Sequence, residues 1–205
     1  KRSMELLRPL YNVLVKEILR SDYCQADETT TNVINPEKHA TDREYVWMIR
    51  AVTEKLAAFF YEEGSRSGKV IKELTDRHNY KGYLQCDGFA GYTSAYKPGL
   101  GVTLVNCLAH IRRYFEQALE ENRKPASWFL RKIQGLYMIE HECDRDGMTY
   151  EQRRLERESR SKPLMEEMRT WMETEGLRYS QRTLIGKAVS YAYTRWGNMM
   201  HILDD

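Results

Sequence analysis

The sequence predicts an α/β domain followed by an all-helical segment. Strand-like runs rich in aromatic and β-branched residues occupy 23–110, and short helical patterns separate them. Helical periodicity alone continues through 111–205. Apolar residues at helical spacing also predict an N-terminal amphipathic helix over 4–20. The chain is therefore predicted to divide into a helix at 1–22, an α/β core at 23–110 and a helical part at 111–205.

The α/β part is predicted to run in the order three strands, helix, strand, helix, strand. Gly and Pro residues separate these runs, as they do where turns join strands and helices. The predicted strands are roughly 23–34, 44–50, 55–61, the run ending at Asp87, and 102–108, and the predicted helices are 70–76 and 92–96.

The helical part shows one apolar stripe and one almost wholly polar stretch. Phe129, Ile133, Leu136 and Tyr137 recur at helical spacing and predict a buried stripe. The stretch 151–160 alternates acids and bases. This pattern predicts a solvated helix with i,i+4 ion pairs, and an arm that contacts DNA is the alternative.

Local signals divide this part into separate helices. Thr149 and Gln152 have the spacing of a capping box, which predicts a helix start. Pro163 predicts a break or kink, because proline lacks the backbone N–H that a helix interior needs. A last helix is predicted from about Gln181.

Composition excludes several classes of protein. The 205 residues contain no apolar run as long as a membrane span, and the first residues lack a signal-peptide core. Four scattered cysteines predict free thiols in a reducing cytosol. The net charge is only +2, so any binding of a polyanion depends on local basic patches.

Two aspartates, Asp27 and Asp87, stand where an extended segment meets a turn. Each could simply open its turn. The predicted strand order, with Asp on the first and fourth strands, is also what a ribonuclease-H-like core requires. In that core these strands are neighbours, so the two carboxylates would converge on two Mg²⁺ or Mn²⁺ ions and support phosphoryl transfer.

Other acidic residues are poorer candidates for this site. Glu28 follows Asp27 directly, and alternation along a strand points its side chain to the opposite face of the sheet. Asp204 and Asp205 lie at the end of the chain. The sequence therefore does not identify a third acidic ligand.

Cys107 and His110 form a Cys-x-x-His pair where the fifth strand is predicted to end. Zinc needs four ligands, and only Cys86 or Cys24 could join them from neighbouring strands. The alternatives are a structural role at this junction and, for His110, positioning of a scissile phosphate.

Basic residues near the predicted site are candidate DNA contacts. Arg66 and Lys69 lie in a Gly-rich segment that is one residue short of a P-loop, which argues against triphosphate binding but leaves phosphate contacts possible. Arg112 and Arg113 follow the Cys-x-x-His pair, and contact with the DNA backbone competes there with salt bridges to residues such as Glu116. Motifs of serine hydrolases and zinc proteases do not occur.

Six blocks in fixed order resemble the catalytic domain of bacterial DDE transposases of insertion sequence family sixty-six. They are Asp27-Glu-Thr, Ser65-Arg-Ser, Gly82-Tyr-Leu-Gln-Cys-Asp-Gly-Phe-Ala-Gly-Tyr92, Cys107-Leu-Ala-His-Ile-Arg-Arg113, Leu136-Tyr-Met-Ile-Glu140 and Gly186-Lys-Ala-Val-Ser-Tyr-Ala-Tyr-Thr-Arg-Trp196. The resemblance implies a ribonuclease-H-like mixed sheet whose two aspartates match Asp27 and Asp87, with an all-helical insertion after the fifth strand. It also implies a cytoplasmic, nucleoid-associated enzyme that acts on transposon ends and target DNA as a homo-oligomer, without a membrane.

The resemblance also predicts what the 205 residues lack. In the family a glutamate beyond an Asp-Asn-Asn block completes the metal site, and neither occurs here. Reduced or absent activity of this polypeptide in isolation is therefore expected. A structure-specific nuclease on the same core, and a non-catalytic DNA-binding or assembly module, are the alternative functions.

Overall fold

The computed structural model describes residues 2–35, 37, 39–64, 66–99 and 101–204. The chain forms two compact units, Lys1–Leu104 and Val105–Asp205. The first contains most of a five-stranded sheet and three helices, and the second is almost entirely helical. Among the described residues, no helix is both long and apolar enough to cross a bilayer.

The first unit has the predicted order of elements. After the N-terminal helix come three strands, then a helix, a fourth strand, another helix and a fifth strand. The elements are α1 (Arg2–Ile18), β1 (Tyr23–Asn35), β2 (Ala40–Ala51), β3 (Leu56–Glu62), α2 (Gly68–Arg77), β4 (Gly82–Cys86), α3 (Ala90–Ala95) and β5 (Val102–Asn106). The prediction of an α/β protein with a five-stranded sheet is confirmed.

The sheet is mixed, with the strand order β3-β2-β1-β4-β5. β2 pairs antiparallel with both β1 and β3, whereas β1 pairs parallel with β4. The parallel pairing joins Tyr23 to Tyr83 and Gln25 to Gln85. The expectation that the first and fourth strands are neighbours is therefore confirmed.

Alternation along the strands builds one buried face of the sheet. Cys24 and Ala26 of β1 are buried, as are Leu84 and Cys86 of β4, because residues two apart point to the same side. Trp47 of β2 is fully buried on this side, opposite Glu28 of β1. Tyr92 of α3 packs edge-on against Trp47, with 6.2 Å between ring centroids. This face carries the hydrophobic core of the first unit.

The second unit is a set of helices packed around its own core. Its helices are α4 (Leu108–Ala118), α5 (Arg123–Arg145), α6 (Tyr150–Glu156), α7 (Lys162–Thr174) and α8 (Leu184–Met199). Phe115 of α4 and Phe129 of α5 stack with ring centroids 3.8 Å apart at the centre of this core. The predicted stripe is confirmed at Phe129, Ile133 and Leu136, but the fourth member was wrong, because Tyr137 is 42% exposed.

A π-helical turn, Arg157–Ser161, joins α6 to α7. Of the predicted break or kink at Pro163, the break is wrong, since the chain stays helical through it and Pro163 lies in the first turn of α7. The change of hydrogen-bonding pattern just before it accommodates the missing N–H. The predicted capping box is confirmed: Thr149 and Gln152 bond each other's backbone N–H.

The stretch 151–160 is only partly the solvated helix that was predicted. Arg160 pairs with Glu156 four residues earlier, as predicted, and also with Glu142 of α5. Arg153 and Arg157, however, reach across to Glu140 of α5 and are less than one-fifth exposed. Because a carboxylate holds both guanidinium groups, these two arginines bind α6 and the π-helical turn to α5, and the alternative of a DNA-contacting arm receives no support from them.

Candidate active site

The two aspartates lie at corresponding positions of the neighbouring strands β1 and β4. The last residues in the parallel register are Gln25 and Gln85, and the Nε2 of Gln25 donates to the Oε1 of Gln85 over 2.5 Å. Asp27 and Asp87 are each two residues further along. Since neighbouring strands are about 5 Å apart, the backbone brings the two positions side by side where β4 ends.

Asp87 has a structural role as well as a candidate catalytic one. Its Oδ1 accepts a hydrogen bond of 2.8 Å from the backbone N–H of Phe89, which shapes the turn between β4 and α3. Its Oδ2 lies 3.7 Å from Nη2 of Arg66. The turn-opening interpretation is therefore correct for Asp87.

Asp27 is exposed on β1. Its Oδ1 accepts from the backbone N–H of Glu28 at 3.0 Å. The prediction that Asp27 stands where an extended segment meets a turn is wrong, because the strand continues for eight residues beyond it, to Asn35, and the side chain projects from regular structure. A ligand on a strand has less conformational freedom than one on a loop, which suits a site that must hold a fixed geometry.

Glu28 lies beneath these two residues as a buried carboxylate. Its side chain is 1% exposed. Oε1 accepts from Nε of Arg66 at 2.8 Å, and Oε2 accepts from the hydroxyl of Tyr92 at 2.7 Å. Burial raises the pKa of Glu28, and the bonds from Tyr92 and Arg66 only partly offset that effect.

Arg66 joins the buried carboxylate to Asp87. Its guanidinium bonds Glu28, approaches Asp87 and lies 4.2 Å from the ring centroid of Phe89. Burial alone would lower the pKa of Arg66, but the hydrogen bond and charge of Glu28 outweigh it and the pKa is raised. Arg66 was predicted as a phosphate contact, and here two carboxylates and an aromatic ring hold its side chain.

The donors at this site suit a hard divalent cation, although they form only part of a site. Carboxylate oxygens are the ligands that Mg²⁺ prefers, and it commonly binds through one or two of them with retained waters. Asp27 and Asp87 provide two such groups. In the described ranges no cluster of three or more His, Cys, Asp or Glu residues is arranged to hold a metal ion.

The two other acidic candidates are Asp204 and Asp205. Asp204 lies in the second unit, where its Oδ2 is 2.7 Å from Nδ1 of His201. Asp205 lies outside the described residues.

The remaining predicted residues lie at helix starts in their own units. Lys69 is exposed in the first turn of α2, two residues after the N-cap Ser67. Ser65 lies outside the described residues. Arg112 and Arg113 are both exposed on α4. Arg112 pairs with Glu116 at 2.9 Å, so the salt bridge that competed with DNA contact is present.

Cys107 and His110 meet at the N-terminus of α4. Burial would raise the pKa of the Cys107 thiol, but a hydrogen bond from His110 and nearby backbone N–H groups lower it. The geometry fits the packing and hydrogen-bonding role considered for this pair. No zinc-like cluster surrounds it among the residues whose placement is described.

The roles of Glu28 and Tyr92 were missed by the sequence analysis. Alternation placed Glu28 on the face opposite Asp27, and the structure shows that its side chain is buried there. A buried carboxylate needs hydrogen-bonding partners. That signal predicts that partners exist but not which residues they are. The partners lie 38 and 64 positions away, at Arg66 and Tyr92.

The fold and the paired acids define an α/β protein with two carboxylates at corresponding positions of neighbouring strands. Comparison with known proteins then identifies its family: the model of the Transposase IS66 family matches residues 1–205, and the chain belongs to this family.

Two relatives come from Sinorhizobium fredii (strain NBRC 101917 / NGR234). The uncharacterized protein y4hP is 26% identical over 221 residues, which cover 97% of this chain and 39% of the relative. The uncharacterized protein y4jD is 26% identical over 213 residues, which cover 97% of this chain and 40% of the relative. The chain thus spans about two-fifths of the length of these relatives.

Proposed function

We propose that this chain is the catalytic part of a DDE-type transposase that cleaves a DNA strand at transposon ends and joins the 3′-hydroxyl to target DNA. The observation that carries the proposal is the parallel register of β1 and β4, whose last pair, Gln25 and Gln85, lies two residues before Asp27 and Asp87. Membership of the Transposase IS66 family supports it. The strand order is that of a ribonuclease-H-like core, and 111–205 would then be its helical insertion.

The proposed chemistry needs carboxylates that are ionised and fixed. When bound, two Mg²⁺ or Mn²⁺ ions would activate the attacking oxygen and stabilise the leaving one. Asp27 and Asp87 would hold them from adjacent strands. Asp87 is oriented by the N–H of Phe89, and Asp27 by its place within β1.

DNA is the proposed partner, with transposon ends and target as substrates and a homo-oligomer as the active assembly. Lys69, Arg112 and Arg113 are proposed backbone contacts, since all three are exposed. If they contact phosphates, replacing each with alanine will weaken DNA binding for all sequences alike. It will also lower the salt dependence of binding by about one unit of slope per contact.

The aspartate pair can be tested by cation binding. Asp27→Asn and Asp87→Asn should each weaken Mn²⁺ binding by about tenfold or more, because each removes one of two charged ligands. Mn²⁺ titration followed by electron paramagnetic resonance measures the affinity, and circular dichroism checks the fold. Asp76→Asn is the matched control, since Asp76 is an exposed residue of the same unit that pairs with Lys72.

Unchanged Mn²⁺ binding in both site variants would contradict the proposal and favour a non-catalytic DNA-binding module. A cleavage assay on the 205-residue chain tests the rest. We expect little or no strand transfer from it, because no third acidic residue joins Asp27 and Asp87 in a metal-binding cluster among the described residues. Efficient strand transfer by this chain alone would contradict that expectation.

A further inference from the structure

We propose that Glu28 is a positioning residue for Asp87, acting through Arg66 to set the affinity of the aspartate pair for divalent cations. The inference rests on the proposed function, because it concerns the same pair. It begins from one continuous set of contacts: Tyr92 bonds Glu28, Glu28 bonds Arg66, and Arg66 approaches Asp87.

Glu28 is the fixed point of this set. Its carboxylate is 1% exposed and lies opposite the fully buried Trp47 in the β1–β2 register. Burial raises the pKa of Tyr92, so the phenol stays protonated and donates to Glu28. A buried carboxylate with a donor on each oxygen has little freedom to move.

The guanidinium of Arg66 lies near two acidic side chains and is closer to Glu28 than to Asp87. Its Nε is 2.8 Å from Glu28, a full hydrogen bond, whereas its Nη2 is 3.7 Å from Asp87, which is too long for one. Phe89 lies under the guanidinium and limits how it can turn. Glu28 therefore holds Arg66 close to Asp87 but too far away for a hydrogen bond between them.

The charges predict in which direction each substitution should change the cation affinity of Asp87. A guanidinium beside Asp87 repels any cation that Asp87 would bind, and the negative charge of Glu28 offsets the repulsion. Without the charge of Glu28, Arg66 would both add net positive charge and move onto Asp87 as a direct partner. Without Arg66, the repulsion and the competition would both disappear.

A double-mutant cycle on the 205-residue chain tests the proposal, with Mn²⁺ affinity as the measured quantity. Glu28→Gln should weaken Mn²⁺ binding about tenfold, and Arg66→Gln should strengthen it severalfold. In the double variant, Glu28→Gln should change the affinity by less than about twofold, because the group through which it acts is gone.

A purely structural role for Glu28 gives a different pattern. If Glu28 only packs the sheet against α3, its replacement weakens Mn²⁺ binding equally with and without Arg66, and the proposal is overturned. Arg66→Gln alone also decides it if Glu28→Gln does not fold, because unchanged or weaker Mn²⁺ binding contradicts the proposed competition.

The cycle separates this proposal from the proposed function. If Asp27→Asn and Asp87→Asn leave Mn²⁺ binding unchanged, the proposed function fails at its first step. If both abolish binding while the cycle shows no coupling between Glu28 and Arg66, the proposed function stands and the positioning role is overturned. Tyr92→Phe adds a graded check, since it removes one bond to Glu28 and should weaken Mn²⁺ binding less than Glu28→Gln does.

Discussion

Each unit of the molecule contains a glutamate that bonds arginine and is partly or wholly buried, and the pKa values of these two glutamates are shifted in opposite directions. In the sheet unit, Glu28 has a raised pKa because burial dominates. In the helical unit, burial also acts to raise the pKa of Glu140, but Arg157 and Arg153 outweigh it and the pKa is lowered.

The difference follows from how many cations each carboxylate receives. Arg157 donates to both oxygens of Glu140 at 2.7 and 2.8 Å, and Arg153 adds a bond of 2.9 Å. Glu28 receives one arginine, which it shares with Asp87, and one neutral hydroxyl. In the helical cluster, two arginines therefore outweigh the burial of Glu140. In the sheet cluster, Glu28 shares Arg66 with Asp87 of the candidate active site, and burial prevails.

The largest expected effect on stability comes from removing the cation of the sheet cluster. Arg66→Met should lower the free energy of unfolding at pH 7 by about 3 kcal/mol, because it leaves Glu28 buried with one neutral donor. Urea unfolding followed by circular dichroism measures it. A loss below about 1 kcal/mol would show that the bond from Arg66 is not needed to keep Glu28 buried.

Removing the acid of the helical cluster should have the next largest effect. Glu140→Gln should cost about 2 kcal/mol at pH 7, since two largely buried arginines lose their shared charged acceptor. Arg153 keeps its bond to Asp144, which limits the loss. The same unfolding measurement tests it, and a neutral outcome would contradict the structural role of this cluster.

The matched substitution in the sheet cluster should cost less. Glu28→Gln should lower the free energy of unfolding by less than about 1 kcal/mol at pH 7, because it removes a buried charge while keeping an acceptor for Tyr92. A cost equal to or above that of Glu140→Gln would contradict the claim that arginine stabilises the charge of Glu140 more than that of Glu28.

The pH dependence of the same two variants should have opposite signs. The pKa of Glu140 lies below its ordinary value of 4.5, so its contribution to stability is present above pH 4.5 and is lost as the pH falls through the folded-state pKa. The pKa of Glu28 lies above 4.5, so its contribution is present below pH 4.5 and is lost as the pH rises through its folded-state pKa.

Urea midpoints measured between pH 7 and pH 3.5 test both signs. The gap between wild type and Glu140→Gln should narrow below pH 4.5, and the stability of wild type relative to Glu28→Gln should increase as the pH falls from 7 to 4.5. Equal slopes for the two variants would contradict the assigned shifts.

The smallest effect is expected at an exposed pair of the helical unit. Arg154 pairs with Glu151 on the surface of α6, and Arg154→Ala should leave the urea midpoint unchanged within error. A clear loss there would mean that surface charge, and not the buried contacts of Glu140, holds α6 in place.

Much of the candidate site could be predicted because strand order has local signals. Runs of strand-forming residues placed Asp27 within the first predicted strand and Asp87 at the end of the fourth, and the structure confirms that those strands are neighbours. The stretch 151–160 was harder, because its charge pattern has the same spacing whether its partners lie on the same helix or on another one. Arg153 and Arg157 found theirs on α5.

Residue patterns along the chain were enough to predict the order of the elements, the alternation of side chains along the strands, and the family to which the chain belongs. These properties depend on periodicity and on residues close together in the chain. The contacts of Glu28 with Arg66 and Tyr92, and the approach of Arg66 to Asp87, became visible only in the folded chain. The physical reason is that the charge and orientation of a buried carboxylate depend on which donors the fold brings within about 3 Å, and these donors come from distant positions in the chain.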